Sequence, residues 1–363
     1  MFAQEPRENP YEMLTVRLAR TSLVEIRPTS SKGNGLFATC DISRGTRIIS
    51  EIPFLSISEW SFRDDDRRIS AFCSALQHAS KAELQDLDQL HCDESYDTTE
   101  VRQGIRGWYK GKGTTDANGN ILKGKKLQNF AKSTVNRYVI FLTNMINMDR
   151  EGAGIFSLYS RINHSCKPSV YDSYNTTIHR LTVHAIRDIS AGEEITVSYL
   201  ASPNAPITMR RDAILGHYGF VCGCEVCLNV SKRYEAERAH IFYMKERIEF
   251  DTRKTHESLL KLLEGSSTGE GDHYTPETLQ RAESLAELLE NEGLEGKDLC
   301  EVYRYCAAWS FYTGSQALGI SYAGKELEIE RRILGTETEH LRTGLKGAEY
   351  FLAVLENLAE KEG

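Results

Sequence analysis

Three thiols crowd into six residues, Cys222, Cys224 and Cys227, within the run Tyr218-Gly219-Phe220-Val221-Cys222-Gly223-Cys224-Glu225-Val226-Cys227. Thiolates at that spacing can converge on one ion. The chemistry they fit is a structural zinc, which takes four tetrahedral ligands. The local run supplies three, and His217 and Cys166 are both candidates for the fourth. The chain has nine cysteines, and the other six are scattered rather than arranged as the disulfide framework of a small secreted domain. One tight cluster in such a chain points to metal.

Three further stretches carry groups able to do chemistry. The run Lys32-Gly33-Asn34-Gly35-Leu36-Phe37-Ala38 offers glycines that let a backbone approach a ligand closely. It lacks the third glycine and the following helix of a dinucleotide fingerprint. Arg161-Ile162-Asn163-His164-Ser165-Cys166-Lys167-Pro168 sets a histidine beside a serine, yet no G-x-S-x-G elbow occurs anywhere to support a serine hydrolase. Gly192-Glu193-Glu194-Ile195-Thr196-Val197-Ser198-Tyr199 is a glycine turn leading into an alternating strand that ends in tyrosine. Each stretch alone also reads blandly: a turn, a core histidine, a surface turn before a core tyrosine.

The elements that must position these residues follow from periodicity. From Leu23 to Ser58 the pattern is strands and turns, with Val24 and Ile26 alternating with polar residues and an apolar stretch from Ile48 ending near Ile57. From Glu59 to Met148 it is mainly helical: Leu76, Leu84, Leu87 and Leu90 recur at helix-like intervals. Asn129 to Met148 reads as another helix, with Phe130, Val135, Val139 and Leu142 on its apolar side. Gly111 to Gly124, rich in Gly, Lys, Asn and Thr, reads as an exposed loop between them. Strands return from Gly154 to Leu200: Val170, Tyr171, Ile178, Leu181, Val183 and Ala185 suggest a hairpin, and Ile195, Val197 and Tyr199 alternate. From Tyr234 onward the pattern is helical, as in Leu285, Leu288 and Leu289, in Tyr303 to Phe311 and in Leu345 to Leu358. Breaks fall at Gly265 to Gly271, at Gly293 and Gly296, and at Gly335, which resembles an array of helix pairs without a strict repeat.

Composition narrows the partners. The 363 residues are 40% hydrophobic and 26% charged, as in a soluble globular protein of one or two domains. No apolar run approaches the roughly 18–20 residues of a membrane span. Met1 to Pro10 is polar and of mixed charge, unlike a signal peptide, so an intracellular place, nucleus or cytoplasm, is expected. The net charge of −8 disfavours phosphate-driven nucleic-acid binding and suits a basic partner. The short run Lys123-Gly124-Lys125-Lys126 reads as solvated loop rather than a localisation signal. A monomer is the default.

Together and in this order, the G-x-G turn, the N-H-S-C-x-P stretch, the G-E-E-hydrophobic-T-x-x-Tyr strand and the cysteine-rich tail resemble the SET domain of protein lysine methyltransferases, from about Leu23 to Leu228. The class is similar to the SET-and-MYND proteins, whose tail has the same C-x-C-x-x-C form before a helical C-terminal domain. The insert offers only Cys73, His78, His91 and Cys92, too few for a MYND zinc module, so none is expected. Ser169 stands where the family often has Asn.

The resemblance implies an α+β chain. Residues 23–200 would form a β-clip SET domain of small sheets with a knot-like core and a helical insert at about 59–148. Residues 201–230 would form a zinc-bound tail, and residues 231–363 an all-α helical-hairpin (TPR-like) domain. It implies that Lys32, Gly33, Asn34 and Gly35 line the methionine end of S-adenosylmethionine, that Asn163 and His164 contact the cofactor near its adenine, and that Phe220 packs on that ring. Tyr199 corresponds to the active-site tyrosine, which would also touch the cofactor, and Tyr218 to a second tyrosine of the lysine channel, where Asn144 and Ile146 also fall. Cys166 corresponds to the fourth zinc ligand beside Cys222, Cys224 and Cys227.

The function implied is transfer of a methyl group from S-adenosylmethionine to a lysine of a basic protein, histone or not, by a protein binding one structural zinc. The alternative is a catalytically weak SET fold serving as a zinc-stabilised interaction module. A hydrolase using His164 or a cysteine lacks both an orienting acid and an oxyanion signature.

Overall fold

The computed structural model describes residues 23–112, 121–229, 231–263, 276–336 and 347–362. Met1 to Pro10, most of the Gly111 to Gly124 run, the Gly265 to Gly271 break and Leu345 lie outside the described residues.

Alternating apolar residues build three small sheets. Strands β1 (Val24–Pro28) and β2 (Asn34–Ala38) form a hairpin; β3 (Arg47–Glu51) and β4 (Leu55–Ile57) follow. After a helical segment come β5 (Ile146–Asn147), β6 (Ala153–Ile155), β7 (Asn163–His164), β8 (Val170–Asn175), β9 (Arg180–Ala185) and β10 (Glu194–Val197). The sheets run β1-β2-β10-β7, β3-β9-β8 and β4-β6-β5. Within the first, β10 pairs antiparallel with β2 and parallel with β7, placing Thr196 beside Asn163 and Val197 beside His164. That junction gathers three of the four chemical stretches at one place. Ser169 reinforces it: its backbone N–H donates to Thr196 O at 2.9 Å, and its Oγ accepts from the Thr196 N–H at 2.9 Å. A buried hydroxyl here completes the ladder with its own side chain.

The core of this β region is apolar and closed, with Leu36, Phe156, Leu181, Val183 and Ile195 fully buried. The expected hairpin is β8 with β9, paired from Val170↔Ala185 to Asn175↔Arg180, with Ile178 in its turn.

The helical segment contains α1 (Asp65–His78), α2 (Lys81–Leu87), α3 (Thr99–Lys112) and α4 (Gly124–Asn144). Helix α1 starts at Asp64, whose carboxylate accepts from the Arg67 N–H at 2.7 Å, and buries Ile69, Phe72, Cys73 and Leu76 on one face. Helix α2 begins with a capping box between Ser80 and Glu83. It ends at Leu87, so Leu90 is buried from a turn rather than from the helix. Helix α4 begins earlier than the apolar pattern predicts, taking in Lys125 and Lys126, and Phe130 lies on an exposed side. It also stops earlier, because Met145 is extended and Ile146 and Asn147 pair with β6 instead. These helices enclose a second core around Phe72, Ile105, Tyr138 and Phe141.

Beyond the sheets, α5 (Ile207–Tyr218) and the short α6 (Glu225–Leu228) flank the cysteine run. Then come α7 (Lys232–Leu263), α8 (Pro276–Asn291), α9 (Lys297–Tyr312), α10 (Gln316–Leu334) and α11 (Ala348–Glu362), each packing on its neighbour in sequence. Leu285, Leu289, Cys300, Tyr303 and Trp309 form their core, and α10 also rests on β8 and β9. Among the described residues no helix is long and apolar enough to cross a membrane.

Candidate active site

A cavity of about 860 Å³ opens where β2, β7, β8, the end of α4 and the cysteine run meet. Ten of the eleven proposed cofactor, channel and catalytic residues stand on its wall: Lys32, Gly33, Asn34, Asn144, Ile146, Asn163, His164, Tyr199, Tyr218 and Phe220. Gly35 does not. It lies directly behind the wall, where an added Cβ would come within 2.9–3.0 Å of Thr29 Cγ2, Asn163 Nδ2 and Glu194 Oε1. Its value is close approach rather than contact with a ligand.

The glycine turn is held from behind by β10. Glu194 receives Lys32 Nζ at 2.9 Å and Asn163 Nδ2 at 2.8 Å, and Asn163 Nδ2 also reaches Asn34 O at 3.2 Å. One carboxylate thus ties the turn to β7. Gly33 takes a φ of 70°, a left-handed conformation that glycine adopts without a Cβ clash.

His164 joins the sheet to the tail. Its Nδ1 accepts the Tyr199 N–H at 3.0 Å, so in the neutral ring the proton sits on Nε2, which lies 3.4 Å from Cys166 Sγ. Burial lowers its pKa to about 4, which keeps the ring neutral at neutral pH. Asn144 is fixed by its Nδ2, which donates to His91 O at 2.7 Å.

The tyrosines cluster. The Tyr199 hydroxyl donates to Ile162 O at 2.6 Å, and the Tyr199 and Tyr218 rings lie 4.8 Å apart. Tyr218 is 6.3 Å from Phe220. Burial raises the pKa of Tyr199 and of Tyr218 above the ordinary phenol value, so both stay un-ionised, and Tyr199, whose proton goes to Ile162 O, meets the cavity as an acceptor.

Cys166, Cys222, Cys224 and Cys227 are all buried, and their sulfurs lie within 4.8 Å of one another. His217 is not in this group; its carbonyl accepts from Tyr96 Oη. The sulfur of Cys166 is 4.0 Å from that of Cys222 and 3.6 Å from that of Cys227. Four sulfurs around zinc at about 2.3 Å would stand roughly 3.8 Å apart, so the set fits one zinc ion. Hydrogen bonding within the set lowers Cys224 and Cys227 and raises Cys166 and Cys222, as expected of four sulfurs close enough to share protons. Two buried arginines brace the cluster. Arg210 Nη2 lies 4.0 Å from Cys227 Sγ, and Arg238 on α7 donates to Cys166 O at 2.9 Å and Pro203 O at 2.7 Å.

The sequence reading missed Tyr159 and Asp172, which also line the cavity and are joined by a Tyr159 Oη–Asp172 Oδ2 hydrogen bond of 3.0 Å. A signal existed: Asp172 alternates with Val170 and Tyr174, both buried, so strand periodicity turns an acid inward.

Residues 33–200 match the family model described as the SET domain. The protein called histone-lysine N-methyltransferase set5 in Schizosaccharomyces pombe is 29% identical over 219 residues, 60% of this chain and 52% of that protein. Human protein-lysine N-trimethyltransferase SMYD5 is 40% identical over 80 residues, 22% of this chain and 19% of that protein. A solved SET domain of LSMT, bound to methyllysine and AdoHcy, overlays 96% of this chain and 90% of that one at 14% identity, with a TM-score of 0.35. Residues 33–200 thus match a SET domain, and the chain is similar to the SET5 and SMYD5 proteins. It spans about half the length of the fission-yeast relative.

Proposed function

We propose that this chain methylates the ε-amine of lysine in a protein, using S-adenosylmethionine. The observation that carries the reading is the convergence of the glycine turn, Asn163, His164, Tyr199, Tyr218 and Phe220 on one cavity wall. These residues are separated widely in sequence, and no single local pattern would bring them together.

When bound, S-adenosylmethionine supplies a methyl group activated on a sulfonium, so the cofactor carries the reactivity. The protein's part is placement and environment. Lys32, Gly33 and Asn34 would hold the amino-acid end of the cofactor, and Gly35 keeps the turn pressed against Asn163 and Glu194. Asn163 and His164 would meet the adenine end, with Phe220 against the ring. Tyr199 and Tyr218, with Asn144 and Ile146, would form the walls of a lysine channel. The target amine must be neutral to attack, and a free lysine titrates near 10.4. Partly apolar walls disfavour the ammonium. Tyr199, its hydroxyl proton given to Ile162 O, would orient the reacting groups through its oxygen lone pairs, and alignment of this kind is a large part of the barrier reduction.

The four cysteines would bind one structural zinc, fastening the tail so that Tyr218 and Phe220 close the cavity. Residues 23–200 would form the SET domain, with a threaded, knot-like junction of β7 and β10. Residues 201–230 would form the zinc tail, and residues 231–363 a TPR-like helical domain. The net charge of −8 favours a basic protein substrate, a histone tail being one such. A monomer acting in the nucleus or cytoplasm fits this reading.

The test is incorporation of labelled methyl from S-adenosylmethionine into a mixed protein extract, followed by amino-acid analysis. Label recovered as methyllysine supports the reading. Cofactor binding without any label in extract of proven unmethylated lysine content overturns it and favours an interaction module.

A further inference from the structure

A lysine that enters the cavity arrives as a cation, and something must hold it and take a proton. Among the described residues on the cavity wall, the only carboxylate is Asp172. The cations on that wall are already engaged: Lys32 pairs with Glu194 at 2.9 Å and Arg161 with Asp86 at 2.8 Å. Both histidines on the wall have ring nitrogens engaged within the protein. His164 uses Nδ1 for the Tyr199 N–H and sets Nε2 against Cys166, and His91 Nε2 is 3.1 Å from Tyr218 O. Tyr199 and Tyr218 are half-buried and un-ionised.

Asp172 is placed rigidly. It lies in β8, paired with Val183 of β9, between inward-facing Val170 and Tyr174. Tyr159 donates to its Oδ2 at 3.0 Å, which fixes the side chain and leaves the carboxylate further lone pairs for an incoming N–H. We propose that Asp172 binds the target ammonium and accepts its proton. This rests on the reading of the cavity as a lysine methyltransferase site.

The step balances in itself. One N–H bond of the ammonium breaks, its electron pair stays on nitrogen as the attacking lone pair, and the proton bonds to a carboxylate oxygen. Ammonium and carboxylate become amine and carboxylic acid, with no co-reactant. In water the two groups titrate about 6.5 pH units apart, which forbids this transfer. Burial narrows the gap from both ends, because it raises an acid and lowers an amine. Burial does raise Asp172, with the Tyr159 hydrogen bond opposing it in part. The titratable groups facing Asp172 are Tyr159, Tyr199 and Tyr218; Lys32 and Arg161 bear the other charges on the wall.

Asp172→Asn is the test, since its amide oxygen can still accept from Tyr159. Two measurements are made on the full chain. The first is binding of a lysine peptide against the same peptide carrying norleucine. The unsubstituted protein is expected to prefer lysine at least about tenfold and the variant to lose that preference, with cofactor binding equal in both. The second is methyl transfer against pH. General-base help is worth roughly 10²–10⁴-fold. The variant is expected to be about 10²-fold slower at pH 7 and to recover steadily toward the amine's own pKa, while the unsubstituted protein levels off earlier. Equal lysine preference, or a loss of rate that is the same at every pH, overturns the assignment. Transfer by neither protein, even at high pH, overturns the methyltransferase reading itself and this inference with it.

Discussion

Cys166 comes from the loop after β7, whereas Cys222, Cys224 and Cys227 come from the tail, so Cys166→Ser separates metal binding from tail fastening. Structural zinc in small cysteine sites is worth about 10–16 kcal/mol at neutral pH. An even share among four thiolates is roughly 2.5–4 kcal/mol, or about 10²–10³-fold in affinity. The observed sulfur spacings of 3.6 and 4.0 Å bracket the tetrahedral value, so no large rearrangement offsets the lost ligand. The assay is zinc per chain, by mass spectrometry of metal content, after equilibration with a graded series of chelators. The unsubstituted protein should hold one zinc, and the variant should release it at about 10²-fold weaker competition. Cys40→Ser, an exposed thiol outside the cluster, should match the unsubstituted protein. Because the three tail thiols remain, the variant should keep a weak site while Tyr218 and Phe220 lose their anchor to β7, which a fall in cofactor affinity would report. Retention of zinc by Cys166→Ser at full strength, or absence of zinc from carefully reduced unsubstituted protein, would refute the reasoning.

Other perturbations test the cavity's frame. Gly35→Ala puts a Cβ within 3.0 Å of Asn163 and Glu194, and overpacking of that kind costs about 1–3 kcal/mol, so calorimetry should show S-adenosylmethionine binding weakened about tenfold or more; unchanged affinity would mean the turn does not bear on the cofactor. Glu194→Gln preserves an acceptor for Asn163 and removes the charge facing Lys32, a pair exposed enough to be worth at most about 1 kcal/mol. Its cofactor affinity should fall no more than roughly fivefold, and the fall should shrink in high salt; a large, salt-independent loss would show that Glu194 has another role.

Much of this site was legible because its chemistry depends on rare residue types in fixed local runs. The C-x-C-x-x-C run, the N-H-S-C stretch and the G-x-G turn each declare themselves within a few residues, and β-strand alternation placed β8, β9 and β10. What joins them is non-local. The parallel pairing of β7 with β10, and the Glu194 carboxylate that ties Lys32 to Asn163, involve residues far apart in sequence, and periodicity says nothing of such pairings. The choice between His217 and Cys166 was open in the local spacing and came only with the family pattern. Tertiary context also moved the end of α4: a helical apolar pattern continued to Met148, but pairing with β6 claimed Ile146 and Asn147. Asp172 was missed because one acid in a short strand is ordinary until the cavity around it is seen.

Tyr199→Phe tests the central claim most directly. The purified variant and the unsubstituted protein are compared for methyl transfer to a lysine-containing protein substrate, alongside S-adenosylmethionine affinity. Removing one well-placed hydrogen-bonding group at the reacting centre commonly costs about 10²–10³-fold in turnover. The account predicts a loss of that order with cofactor affinity nearly unchanged, because the hydroxyl acts on the reacting groups. Turnover equal to that of the unsubstituted protein, or turnover and cofactor affinity falling together, would contradict it.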